Sequence, residues 1–226
     1  MAFELDKVVP WGRSLAEYIQ LFNLTNSDLD KKIISFGDGP ASFNSEMYAL
    51  NKTIISLDPL YQFTKNSIED RISETKVAVM EQMKANQDNY IWTTIKNTEE
   101  LEQIRMQAMS TFIKDFEVGK RQRRYINHEL PNPTNYMDLE FELGLSSHFL
   151  ILYSQLGLDF HLKAISEMLR ISKEIRIFPI LDLNGGVPDI LYEIIKHFNN
   201  DFCIRIDTCE YEFQKNGNRM LVILHK

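Results

Sequence analysis

The sequence predicts an α/β fold in three layers, a mostly parallel sheet with helices on both faces. Three observations predict it. Short runs that are apolar almost throughout, such as Ile33-Ile34-Ser35-Phe36 and Ile54-Ile55-Ser56-Leu57, read as strands buried on both faces, as in a parallel sheet covered by helices. Between such runs lie segments whose apolar residues recur at helical spacing. The chain has 226 residues, 44% of them hydrophobic, which suffices for one domain with a substantial core.

The elements follow in order. Ser14 with Glu17 forms a capping box, and Leu15, Tyr18, Ile19 and Phe22 then share one helical face. A second helix start lies at Asn26-Ser27-Asp28-Leu29, so residues 8–30 are expected to form an N-terminal helical cover. Residues 32–36 are a strand stopped by Gly37, residues 41–51 a helix of about three turns, and residues 52–57 a strand stopped by Asp58-Pro59. Residues 62–119 are helical, with Ile68, Ile72, Val79 and Met83 on one stripe and Leu101, Ile104, Met109, Phe112 and Phe116 on another. This stretch exceeds one crossover helix and is read as a helical insertion. Strands are expected at 124–130, Phe141–Ser147, 174–183, 201–213 and Arg219–His225, with helices at 159–172 and 188–199. Asn216-Gly217 is a hairpin signal, so at least one of the last two strands runs antiparallel. The count is seven strands in a single domain spanning 1–226.

Composition narrows the function classes. The net charge of −7 disfavours a nucleic-acid partner, which usually needs a basic face. The one dense basic run, Lys120-Arg121-Gln122-Arg123-Arg124, reads as a solvated helix end with cations at the negative pole of the dipole. No apolar run spans a bilayer and the first residues lack the pattern of a signal peptide, which favours a cytoplasmic protein without membrane attachment. Cys203 and Cys209 are expected to be small core-filling residues, because same-strand cysteines six apart lie too far apart to bond and no histidine cluster offers a metal site. The scattered methionines read as core filling, and His161 and His197 as surface or boundary residues on helices.

The chemistry-bearing residues are Ser35-Phe36-Gly37-Asp38-Gly39-Pro40-Ala41-Ser42 and Asp58. Gly37 and Gly39 allow a tight turn off the first strand, and the following helix presents unpaired N–H groups. About twenty residues on, Asp58 ends the second strand, where a carboxylate can accept both hydroxyls of a ribose. This pairing suits an adenosine-type ligand, and the alternative is a plain βα turn with a helix-capping aspartate.

Residues 33–42 with 54–59 resemble the first two motifs of class I S-adenosylmethionine-dependent methyltransferases. Phe36-Gly37-Asp38-Gly39-Pro40-Ala41-Ser42-Phe43-Asn44, Asp58-Pro59-Leu60-Tyr61 and Ser147-His148-Phe149-Leu150-Ile151-Leu152-Tyr153-Ser154 are more closely similar to a bacterial group of methyltransferase-like proteins without an assigned substrate. The resemblance implies a Rossmann-like sheet in the order 3-2-1-4-5-7-6 with strand seven antiparallel, and S-adenosylmethionine as cofactor. It implies that Gly37 and Gly39 contact the methionine and ribose parts, that Asp58 holds the ribose, and that Pro59 and Tyr61 lie beside the adenine with Glu129 and Leu130. Ser147 and His148 would face the methyl donor and substrate, with His148 a candidate general base. Trp11, Arg13 and Tyr18 would cover the cofactor, Arg13 reaching its carboxylate. The family's first acid is replaced by Ser35 and its third glycine by Ala41, and Asp38 is the nearest carboxylate. No signature for amino-group methylation follows the fourth strand and no nucleophilic cysteine is placed for base methylation, which leaves a small-molecule acceptor. The competing functions are a non-catalytic or regulatory S-adenosylmethionine-binding protein and a nicotinamide-dependent oxidoreductase, the latter weakened by Ser42 at the third glycine position and by the absence of a Tyr-x-x-x-Lys pair.

Overall fold

The computed structural model describes residues 9–226, so residue 8, the first of the expected N-terminal cover, lies outside the described residues. The sheet has seven strands in the order β3-β2-β1-β4-β5-β7-β6. They are β1 (Ile33–Phe36), β2 (Ile54–Leu57), β3 (Tyr125–Ile126), β4 (Phe141–Ser147), β5 (Ser172–Phe178), β6 (Phe202–Thr208) and β7 (Arg219–His225). β1 pairs in parallel with β2 and β4, and β7 is antiparallel to both β5 and β6. The arrangement matches the sequence expectation strand for strand.

The helices are α1 (Leu15–Phe22), α2 (Asn26–Leu29), α3 (Phe43–Ala49), α4 (Lys65–Ala85), α5 (Thr98–Arg121), α6 (Leu158–Ile171) and α7 (Ile190–Phe198). Strand side chains alternate between two cores. Ile34, Phe36, Ile175 and Ile177 meet α6 and α7, whereas Ile33, Leu143, Leu145 and Val222 meet α1 and α3. Each apolar strand therefore buries both faces, the origin of its unbroken apolar pattern. α1 begins with the predicted box, in which Ser14 Oγ accepts from Glu17 N at 3.3 Å and Glu17 Oε2 accepts from Ser14 N at 3.1 Å.

Several local expectations change. β3 is two residues long, because after Ile126 the chain bends to place 127–130 at the rim of the sheet. β6 stops at Thr208, and residues 209–218 form a long loop in place of a tight hairpin. Within that loop Tyr211 and Cys209 are buried in the α1-side core, a burial that outweighs continued pairing along an edge strand. Cys203 is exposed and only Cys209 fills core space, and both thiols are free. His161 is fully buried in α6, its ring nitrogens facing the carbonyls of Gly157 at 2.7 Å and Leu150 at 2.9 Å. In the basic run Arg124 is buried, pairing with both Asp115 oxygens at 2.7 Å, while its neighbours 120–123 meet solvent. Within the helical insertion α5 packs on α3 and β3 as a crossover helix does, and α4 is the added layer resting on it. Among the described residues no helix is long and apolar enough to cross a membrane.

One polar cluster pins the α1–α2 turn to the sheet. Arg176 of β5 donates to Phe22 O at 2.8 Å and to Asp28 at 3.2 Å, and Lys31 donates to Asp28 at 2.6 Å. Burial raises the Asp28 pKa, but these donors and the Thr25 N–H outweigh it and hold the carboxyl well below the usual range. A carboxylate depressed on folding stabilises the protein above its unfolded pKa of about 3.9, and that contribution disappears as pH falls through the folded value. Asp28→Asn is therefore expected to destabilise by about 1.5–3 kcal/mol in urea titrations near neutral pH. The gap from wild type should narrow below about pH 4, and a gap constant into strong acid would sink this assignment.

Candidate active site

The carboxyl ends of β1, β2 and β4 open onto a cavity of about 930 Å³, towards the upper end of the roughly 300–1,000 Å³ usual for small-molecule sites. It lies at the point where the sheet order reverses, between β1 and β4, where open α/β sheets bind ligands.

Its floor is the turn after β1. Gly37 and Gly39 both adopt left-handed φ values, +66° and +54°. A Cβ at Gly37 would also stand 2.6 Å from the Phe149 ring, so glycine is required there twice over. Asp38, between them, is buried and makes no ion pair among the described residues. Its carboxylate instead accepts from three hydroxyls, Ser35 at 2.5 Å, Ser56 at 2.6 Å and Tyr18. Burial raises its pKa against the pull of those hydroxyls. Ser35 thus does not strip the turn of negative charge, because its hydroxyl holds a carboxylate supplied three residues later.

Asp58, at the tip of β2, accepts from Gly39 N at 2.8 Å through one oxygen and from Leu60 N at 2.7 Å through the other. Burial lifts its pKa to about 6 despite these two donors, and nearby Asp38 adds to the rise. Each oxygen keeps a lone pair free for a ligand hydroxyl. Pro59, Glu129 and Leu130 also line the cavity, Glu129 at its exposed rim. Ser35, Pro40 and Tyr61 do not line it and stand one layer behind. Tyr61 is fully buried among Phe112, Phe116 and Tyr125, and its hydroxyl donates to Gly39 O at 2.8 Å, bracing the turn.

Ser147 and His148 close β4. His148 has φ +52°, donates its N–H to Phe178 O at 2.6 Å, and sets Nδ1 2.9 Å from Ser147 Oγ. Burial, reinforced by the charges of Arg13 and Arg105, holds its pKa well below the ordinary value, so the ring is neutral.

Trp11, Arg13 and Tyr18 form one wall. Their segment is seated on the glycine turn, since Ser42 N donates to Arg13 O at 3.0 Å and a Cβ at Gly12 would fall 2.1 Å from Pro40 O. Arg13 donates to Trp11 O at 3.1 Å, and its buried Nε has no partner among the described residues. Burial and then the neighbouring Arg105 lower the Arg13 pKa to about 10. Arg105 of α5 is 1% exposed, is paired with Glu17 of α1, and donates to Tyr211 OH at 3.3 Å. Burial disfavours the Glu17 charge, but Arg105 and Arg13 outweigh it and leave the pKa lowered.

Arg105, Glu17, Tyr211 and Phe149 were absent from the residues expected at the site. A signal existed for Arg105, which falls on the buried stripe of α5 between Leu101 and Met109, where a charge needs a partner. The roof is the loop joining α4 to α5. Ile91 N donates to Phe213 O at 2.7 Å, Asn89 O accepts from Lys215 N at 3.0 Å, and Tyr90 stacks on Phe213 with ring centres 4.9 Å apart.

No protein-family model matches the chain. It is 35% identical over 221 residues to the uncharacterized protein MJ0045 of Methanocaldococcus jannaschii, covering 97% of each chain. The relative is archaeal, so the likeness to a bacterial group rests on the sequence motifs alone. Among solved structures, a SAM-dependent methyltransferase from Aquifex aeolicus superposes with a TM-score of 0.42 at 12% identity, covering 93% of this chain and 88% of that one. Magnesium protoporphyrin IX methyltransferase from Synechocystis with bound SAM superposes at 0.47 and 11% identity, covering 93% and 77%.

In the ligand-free protein the Asp58 carboxyl is expected to titrate near pH 6, measured by carbon-13 NMR of labelled aspartate. A midpoint near the ordinary value of about 4 would mean that water reaches it freely.

Proposed function

The chain belongs to the same family as protein MJ0045 of Methanocaldococcus jannaschii, and from the geometry of its cavity we propose that it is an S-adenosylmethionine-dependent methyltransferase acting on a small molecule. One observation carries the reading. In a sheet ordered 3-2-1-4-5-7-6, Asp58 at the tip of β2 is tied to the backbone of the Gly37–Gly39 turn and still offers two lone pairs to the cavity.

In this reading Asp58 accepts the ribose hydroxyls, and Pro59, Glu129 and Leu130 flank the adenine. The Gly37–Gly39 turn lies under the methionine part, with Tyr18 and Trp11 over it. Asp38 is a buried carboxylate with no paired cation among the described residues, which suits the donor's ammonium group. Ser35, Pro40 and Tyr61 act from behind as supports of the turn. S-adenosylmethionine supplies a methyl group on a sulfonium. The chain's residues orient it and exclude water, and the α4–α5 roof and the N-terminal segment shape the chamber in which an acceptor meets it. His148, a neutral imidazole at the end of β4, faces the chamber and is the candidate base for an acceptor that arrives protonated.

Titration calorimetry with S-adenosylhomocysteine and with NAD tests the reading, since binding of NAD alone would replace it with an oxidoreductase. Asp58→Ala removes charge-assisted bonds worth about 1.5–3 kcal/mol, so affinity for S-adenosylhomocysteine should fall roughly tenfold or more. An unchanged dissociation constant would remove Asp58 from the site.

A further inference from the structure

We propose that the chamber beside His148 takes a small molecule bearing an acidic oxygen, a carboxylate or phenolate on an apolar body, with Arg105, Arg13 and Tyr211 as its seat, and that the methyl group passes to oxygen. The inference rests on the methyltransferase reading and adds the substrate class to it.

The first support is the donor inventory. A guanidinium has five N–H donors. Arg105 commits Nη1 to Glu17 and Nη2 to Tyr211, while its buried Nε has no partner among the described residues. Arg13 likewise leaves a buried Nε without a partner among them. The Tyr211 hydroxyl accepts from Arg105, and its own proton has no acceptor among the described residues. All three side chains line the same cavity, and a buried donor left unpaired is costly unless a ligand completes it. No residue of the described chain completes this seat.

The second support is the sign of the charge. Arg105 is paired with Glu17, Arg13 feels that carboxylate without an ion pair of its own among the described residues, and the donor's sulfonium would add a further positive charge. Buried charges interact more strongly than charges in bulk water. An amine acceptor would become a cationic product against both guanidiniums. An imidazolium at His148 would face the same repulsion, which favours an acceptor that arrives ionised over one that must hand a proton to His148. For such an acceptor the step balances without a base. An oxygen lone pair forms the new O–C bond, the S–C bond breaks with its electron pair going to sulfur, and a negative oxygen and a positive sulfur become a neutral ether or ester and a neutral thioether.

The third support is the rest of the wall. Phe63, Tyr90, Phe149, Leu152, Phe160 and Phe213 line the same cavity, an apolar surface for the body of the acceptor.

The test titrates protein saturated with S-adenosylhomocysteine with 3-phenylpropionate, 3-phenylpropanamide and 3-phenylpropylamine, by calorimetry. The carboxylate is expected to bind roughly tenfold or more tighter than the amide, and the amine weakest. Glu17→Gln combined with Arg105→Gln removes both partners of the ion pair together. It should weaken the carboxylate roughly tenfold, the scale of a lost charged hydrogen bond, and weaken S-adenosylhomocysteine by much less. Tyr211→Phe removes one hydroxyl, keeps the fold in play, and should weaken the carboxylate alone. Equal binding of amide and carboxylate, preference for the amine, or no binding of the carboxylate at millimolar concentration overturns the proposal. So does an equal loss of S-adenosylhomocysteine affinity in these variants, which would hand the arginines to the donor's own carboxylate. Selective carboxylate binding by a protein that ignores S-adenosylhomocysteine would uphold the seat and overturn the methyltransferase reading.

Discussion

The buried pair of Arg105 and Glu17 fixes where the cavity stands. It joins α5 to α1, and Tyr211 ties the β6–β7 loop to the same guanidinium. Three segments distant in sequence thus converge on one charge, and each also contributes wall to the chamber. Removing one partner of such a pair typically costs about 3–5 kcal/mol, because the other charge stays buried and uncompensated. Apolar packing alone would allow α5 to slide along its neighbours. A buried guanidinium held by Glu17 and Tyr211 does not allow it.

The same economy of partners appears beneath the ligand space. Asp38 lies close enough to Asp58 to raise its proton affinity, yet the two carboxyls are held differently. Asp38 is surrounded by hydroxyls, which rotate to suit either protonation state. Asp58 is held by backbone N–H groups, which donate only. One carboxylate is therefore adaptable and the other fixed, a division that suits a flexible amino-acid tail on one side and a rigid sugar on the other.

Much of the fold was legible in the sequence because its determinants are local. Strands such as Ile33–Phe36 announce burial on both faces, and Ser14 with Glu17 announces the start of α1. The glycine turn and Asp58 were legible for the same reason, being neighbours of strand ends. The expected tight hairpin failed at residues 209–218, where Asn216-Gly217 is a genuine turn signal but the burial of Tyr211 pulls the chain out of the sheet. Tertiary burial decided that segment, and no window of sequence contains it. Arg105 was missed for a related reason. Its partners come from α1 and from the β6–β7 loop, and nothing in the sequence of α5 names them.

The docking of the α4–α5 loop on residues 213–215 has a mechanical consequence. A helical hairpin anchored at its base alone would be a cantilever, free to swing about the sheet. Here its far end is fastened by backbone bonds to Phe213 and Lys215 and by the stack of Tyr90 on Phe213. It is instead a beam supported at both ends, which deflects far less under the same load. The stiffness of the chamber is then set in part by the 209–218 loop, where loss of the Tyr90–Phe213 stack would leave the backbone bonds to carry the load.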